Sequence, residues 1–208
     1  MKLRIEVITV GNWKVNCYLI AVDDECWLVD PGDEFERIVS YFNLDNFKLN
    51  GIINTHGHFD HIGAVSEIKE KYGVPFFIHS KDERLLNQSN LYRKMAGDSS
   101  VRKTPSIDKY LDDLPFLELN EERILIHNFP GHTNGGVCFE IAGNLFTGDL
   151  LFEKKAGRTD LPGGNKNSLS TSLDHIISNF LGYRIHPGHG ESFLLDENLI
   201  KKLKLTIK

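Results

Sequence analysis

The segment His56-Gly57-His58-Phe59-Asp60-His61 packs three imidazoles and a carboxylate into six residues. In an extended chain, residues two apart project to the same side, so His56 and His58 can grip one ion together. A helix expected to begin at Asp60 would turn the chain and aim Asp60 and His61 at a neighbouring point. One short loop can therefore serve two adjacent metals. His132 in Pro130-Gly131-His132-Thr133, Asp149 in Thr147-Gly148-Asp149 and His189 in Pro187-Gly188-His189-Gly190 can add to them. Each sits just past an expected strand or hairpin, where glycine lets the backbone approach closely. This mixture of imidazole and carboxylate is what divalent metal sites are built from. His79, His127, His175 and His186 stand apart and read as ordinary core or surface residues.

The elements that must position these side chains alternate between strand and helix signals. Residues 3–10, 15–22 and 26–30 are rich in β-branched and aromatic residues, and Asp30-Pro31-Gly32 ends that run. Phe35, Ile38, Val39 and Phe42 share one face of an expected helix over 33–43. A short apolar strand at 51–54 leads into the histidine loop, then a helix over 61–72 closed by Gly73, then a strand over 74–80. The polar stretch 81–113 suggests one or two helices carrying Leu85, Leu86, Leu91 and Met95, followed by an excursion over the surface. Strands resume at 123–129, 136–142 and 144–147, with a tight turn expected at Gly143-Asn144. A glycine-rich loop over 157–166, a helix over 168–181, a short strand before His189 and a helix over 196–204 complete the chain. The alternation indicates one α/β layered domain over 1–208 with much antiparallel pairing.

Composition narrows the function. The chain has 208 residues, 40% of them hydrophobic and 25% charged, as ordinary globular proteins do. Its formal net charge is −5 with no basic stripe, which argues against nucleic acid as a partner. No apolar run approaches the roughly 20 residues of a membrane span. The amino terminus alternates like a strand and has no signal-peptide core. Cys17, Cys26 and Cys138 lie in strand-like apolar contexts and read as reduced core thiols, so the expected location is cytoplasmic.

The H-x-H-x-D-H loop with later His, Asp and His residues in this order resembles the metallo-β-lactamase fold superfamily, and Asp30-Pro31-Gly32 matches as well. The resemblance implies an αββα four-layer sandwich, two mixed β-sheets flanked by helices, with the site at one edge. It also implies one metal held by His56, His58 and His132, a second held by Asp60, His61 and His189, and Asp149 bridging them. Gly157-Arg158-Thr159-Asp160-Leu161-Pro162-Gly163-Gly164 and the closing His-Pro-Gly-His-Gly resemble the glyoxalase II (hydroxyacylglutathione hydrolase)-like branch. Too few residues follow His189 for that branch's carboxy-terminal glutathione-binding helices, so the resemblance is to a short form.

The implied cofactor is a pair of zinc ions, with iron or manganese as alternatives. Their four positive charges exceed those of Asp60 and Asp149 by two, which lowers the pKa of a bridging water toward ~7. The expected reaction is attack of that hydroxide on a thioester, S-acylglutathione-like, or a related acyl bond. Asp60 would both ligate and orient the nucleophile, and no G-x-S-x-G elbow is present to offer a serine instead. The expected partner is a small acyl or thioester substrate, with oligomeric state open. Arg158, Asn165 and Lys166 are candidate substrate contacts, Lys154 and Lys155 a solvated loop tip, and 86–113 a candidate roof bringing Tyr92 or Met95 over the pocket. A second reading uses His56, His132 and Asp149 as the two-histidine, one-carboxylate set of an iron(II) oxygenase. Persulfide dioxygenases resemble the sequence too, including the Gly-Arg-Thr-Asp stretch.

Overall fold

Two six-stranded sheets face one another in this computed structural model, which describes residues 2–206. The first sheet runs in chain order: β1 (Leu3–Val10), β2 (Val15–Val22), β3 (Glu25–Val29), β4 (Lys48–Ile53), β5 (Phe76–Ile78) and β6 (Lys109–Tyr110). Its first three strands pair antiparallel and the rest parallel. The second sheet comprises β7 (Phe116–Leu119), β8 (Glu122–Asn128), β9 (Val137–Ile141), β10 (Asn144–Gly148), β13 (Arg184–Pro187) and β14 (Phe193–Leu194). All its pairings are antiparallel except β10 with β13. β11 (Leu151–Phe152) and β12 (Lys155–Ala156) pair as a separate two-stranded ribbon, with Leu151 buried in the same apolar layer as α5. The helices are α1 (Phe35–Phe42), α2 (Val65–Tyr72), α3 (Glu83–Asn87), α4 (Ser89–Met95), α5 (Lys166–Asn179) and α6 (Glu197–Thr206).

Three apolar layers account for the sandwich. Every residue of β2 is buried because both of its faces are covered. Cys17, Leu19 and Ala21 pack with Ile38, Val39 and Phe42 of α1 and Ile68 of α2. The alternate residues Tyr18, Ile20 and Val22 meet Phe139, Ile141 and Phe146 between the sheets. Cys138, Leu145 and Ile185 cover the other side, under Leu169, Leu173 and Ile176 of α5. This is the expected αββα arrangement. All three cysteines are buried and free. Among the described residues, no helix is long and apolar enough to cross a membrane.

Several local expectations change. Helix α2 begins at Val65, not near Asp60, because tertiary bonds hold the intervening residues in turns. Ala64 N donates to Pro31 O at 3.0 Å, and Arg93 Nη2 donates to Phe59 O at 3.0 Å. Gly73 does close the helix, its N–H donating to Lys69 O at 2.8 Å. The hairpin joining β9 and β10 centres on Ala142 and Gly143, with φ of 45° and 76°, one residue earlier than expected. Both positive angles suit the twist of a two-residue hairpin, and they leave Asn144 paired with Ile141. The excursion after α4 is tied down: Asn90 bonds both N and O of Arg102, Arg102 pairs with Asp33, and Ser66 donates to Lys103 O. It then enters the first sheet as β6.

Candidate metal centre

Four strands, β4 and β8 with β10 and β13, end at the same edge of the sandwich and carry the singled-out residues there. The structure brings all seven together. The rings of His56, His58 and His132 lie with centroids 4.6 to 4.9 Å apart, and His132 Nε2 stands 2.9 Å from His58 Nδ1. Asp60, His61 and His189 form a second group whose candidate donor atoms all lie within 4.8 Å of one another. Asp149 stands between the groups. Its Oδ2 is 3.7 Å from His132 Nε2 and 3.4 Å from His189 Nε2, while Oδ1 is 3.5 Å from His61 Nε2.

Four of the five imidazoles are braced at the nitrogen that faces away from the centre. His56 Nδ1 lies 3.0 Å from Thr55 Oγ1, His132 Nδ1 2.9 Å from Arg158 O and His189 Nδ1 3.1 Å from Lys14 O. His61 Nδ1 lies 2.9 Å from Asp30 Oδ2. Asp30 also accepts from Thr55 N and Thr55 Oγ1, at 2.7 and 2.6 Å, so its oxygens are committed to bracing and not to a metal. Partners of this kind fix the ring orientation and tautomer of a ligating histidine. A buried carboxylate at the head of α3 does the same for backbone: Asp82 accepts from Gly57 N at 2.9 Å and from Gly135 N at 2.7 Å. It thereby ties the His56–His58 loop to the loop carrying His132. Close approach governs the last loop, where a Cβ on Gly188 would meet Asp149 Oδ1 at 2.3 Å.

The electrostatics describe a buried site whose carboxylates and unpartnered acceptors call for positive charge. Nε2 of His56, His58 and His61 and Oδ1 of Asp149 are buried without a hydrogen-bond partner. Each such atom costs on the order of 1–3 kcal/mol if nothing else satisfies it. Burial, reinforced by neighbouring imidazoles, holds His56 well below the usual histidine range and His58 at about 3, so both are neutral ligands at pH 7. Burial opposes charge on His61 and His189 as well. There Asp60, Asp30 and Asp149 prevail over it, raising His61, and bonds to Asp149 and Asp60 lift His189 to about 9. Burial works against ionisation of Asp149 and Asp60, but the adjoining His61 and His189 keep both carboxyls below their usual value. Divalent cations fit this donor set, since they would satisfy the orphaned Nε2 of His56 and His61 and Oδ1 of Asp149 and take the place of the protons that His61 and His189 otherwise carry.

A cavity of about 520 Å3 opens onto His58, Asp60, His132, Asp149 and His189. Tyr92 and Met95 of α4 line it, so part of the 86–113 stretch does wall the pocket. Arg158 also lines it, but exposed and paired to Asp160 in its own loop, not buried. Asn165 and Lys166 are not among the lining residues. Asn165 Oδ1 accepts from Ser168 N at 2.9 Å as the cap of α5, and Lys166 is exposed. Lys154 is exposed, and Lys155 lies over the Phe152 ring. The four remaining histidines lie outside the cluster, with His186 buried between Phe146 and Tyr18. In the sequence Asp30 stands out as part of a turn and of the family resemblance but not as a brace for His61, while Asp82 and the buried Arg93 carry no signal at all. Asp82 and Arg93 sit in unremarkable polar stretches, and only the tertiary structure gives them partners.

The model of the metallo-β-lactamase superfamily matches residues 10–189. The chain is 34% identical to the probable metallo-hydrolase YqgX of Bacillus subtilis (strain 168), over 79% of each chain. It is 32% identical to the hydroxyacylglutathione hydrolase GloC of Haemophilus influenzae, over 82% of each. The solved structure of TTHA1623 in a di-iron-bound form superposes with a TM-score of 0.81 at 32% identity, covering 91% of this chain and 94% of that one.

Proposed function

The chain belongs to the metallo-β-lactamase superfamily and has a metal-binding His/Asp cluster, and on that premise we propose that it is a dinuclear hydrolase of thioesters or related acyl bonds. One ion would be held by His56, His58 and His132, the other by Asp60, His61 and His189, with Asp149 shared. The observation that carries this reading is Asp149, whose carboxylate stands within 3.7 Å of His132, His61 and His189 and so touches both groups. Bound there, the ions would supply a water acidified toward neutral pH and positive charge for a carbonyl oxygen.

The chain's own residues do the rest. Asp60 faces both the cavity and His189, where an ionised carboxylate can orient an attacking water and take up its proton. His58, held neutral, and His132, braced by Arg158 O, border the same opening. Cysteine chemistry is disfavoured: Cys17, Cys26 and Cys138 are buried in the apolar layers, where burial pushes the Cys26 thiol up to about 12. The similarity to the Haemophilus hydroxyacylglutathione hydrolase supports a thioester as the bond attacked. Zinc is the proposed metal, with iron the competitor because a di-iron form of a similar protein exists.

Elemental analysis of the purified protein combined with a thioester-hydrolysis assay tests the proposal. The expected result is about two zinc per chain, with activity abolished by a strong chelator and restored by zinc. One iron per chain, with oxygen uptake and sulfite production from glutathione persulfide, would replace this reading with the persulfide dioxygenase.

A further inference from the structure

Away from the metal-facing residues, the cavity is walled by Trp13, Phe59, Leu85, Met95, Leu161 and Pro162. Trp13 stands edge-on to Phe59 with ring centroids 5.5 Å apart. Trp13 and Met95 are 42% and 75% exposed, large apolar side chains left in water at the mouth of a concavity. Such a surface is built to be covered by a ligand. The wall is also preformed. Arg93, itself buried, donates to Phe59 O at 3.0 Å, places its guanidinium 5.2 Å from the Phe59 ring centre and pairs with Asp98.

The polar groups on this wall are already committed. The Tyr92 hydroxyl donates to Gln88 Oε1 at 2.8 Å. Arg158, the one Lys or Arg side chain lining the cavity among the described residues, makes two 2.7 Å bonds to Asp160. This pair is exposed and weak, so the wall offers a multiply charged substrate portion a single cation, itself already neutralised by Asp160.

We infer that the cavity selects acyl compounds whose acyl group is apolar, alkyl or aryl, and that Trp13 and Met95 determine this specificity. The inference rests on the acyl-hydrolase reading of the adjoining centre. Recognition comes from apolar area removed from water, so affinity tracks the size of the acyl group and not the charge of the thiol carrier.

Calorimetric titration of the metal-loaded protein with acetate, butyrate, hexanoate, phenylacetate and glutathione tests it, each carboxylate standing for an acid product. Affinity is expected to tighten about fourfold per added methylene until the wall is filled. Met95→Ala, at a mostly exposed position, and Trp13→Ala should each flatten that slope. A flat series, glutathione binding tighter than hexanoate, or an unchanged slope in both variants would overturn the inference. Thioester turnover is measured alongside: its absence refutes the thioester reading, whereas the binding series alone judges the wall.

Discussion

Asp30 Oδ2 lies 2.9 Å from His61 Nδ1, on the opposite side of the ring from the Nε2 that faces Asp149. The carboxylate is buried, holds Thr55 through two further bonds and so sets the angle at which His61 enters the centre. Asp30→Asn keeps the shape but puts an amide where the carboxylate faced the ring. Metal affinity should fall roughly 10- to 100-fold, the usual effect of losing such a brace. Competition against a fluorescent chelator measures this, and unchanged affinity would show that Asp30 serves only the turn.

The two acidic residues of the centre should differ in what they hold. Asp149 approaches imidazoles of both groups, whereas Asp60 makes its close approaches to His61 and His189, at 3.9 and 3.5 Å. Asp149→Ala should therefore lose both metals together, while Asp60→Ala should keep the one held by His56, His58 and His132. Identical metal content in the two variants would refute the ligand assignment.

Asp82 provides a test of loop assembly. Its two oxygens are taken by Gly57 N and Gly135 N, so Asp82→Asn must turn an amide donor toward one of these N–H groups. The expected cost is about 1–3 kcal/mol in unfolding free energy, with weakened metal binding at the His56, His58 and His132 group. Denaturant unfolding and metal titration of the same variant check the two effects.

His186 gives the pH dependence of stability. Burial, then the nearby Arg184 charge, holds it at about 4, with Ser192 Oγ 2.9 Å and Asn144 Oδ1 3.0 Å from its ring nitrogens. The unfolded chain takes up this proton near 6.5 and the folded chain does not. The contribution is thus complete above pH 6.5 and is lost as pH falls toward 4, amounting to roughly 3 kcal/mol. Urea midpoints should drop more steeply over that window for the native protein than for His186→Gln. Parallel curves would contradict this account.

The sequence made the centre legible because its donors cluster in short glycine-bearing loops behind strands whose β-branched and aromatic runs are unambiguous. Gly73 closed its helix as expected, since a cap is a local event. What stayed hidden depends on contacts far apart in the chain. The start of α2 moved to Val65 because Pro31 and Arg93 satisfy backbone groups ahead of it. Strands β6, β11, β12 and β14 have two residues each, too few to show a period. Asp82 and Arg93 look like surface residues until their partners are known.

The origin of the seven donors has a consequence for assembly. Each group takes two members from the loop after β4 of the first sheet and one from a loop of the second, His132 or His189. Neither of these two groups is complete without a residue from the other half of the molecule. Under the proposed assignment, cation loading would clasp the seam between the halves, and stripping the ions should loosen that edge before the strands behind it, as faster amide exchange there would reveal.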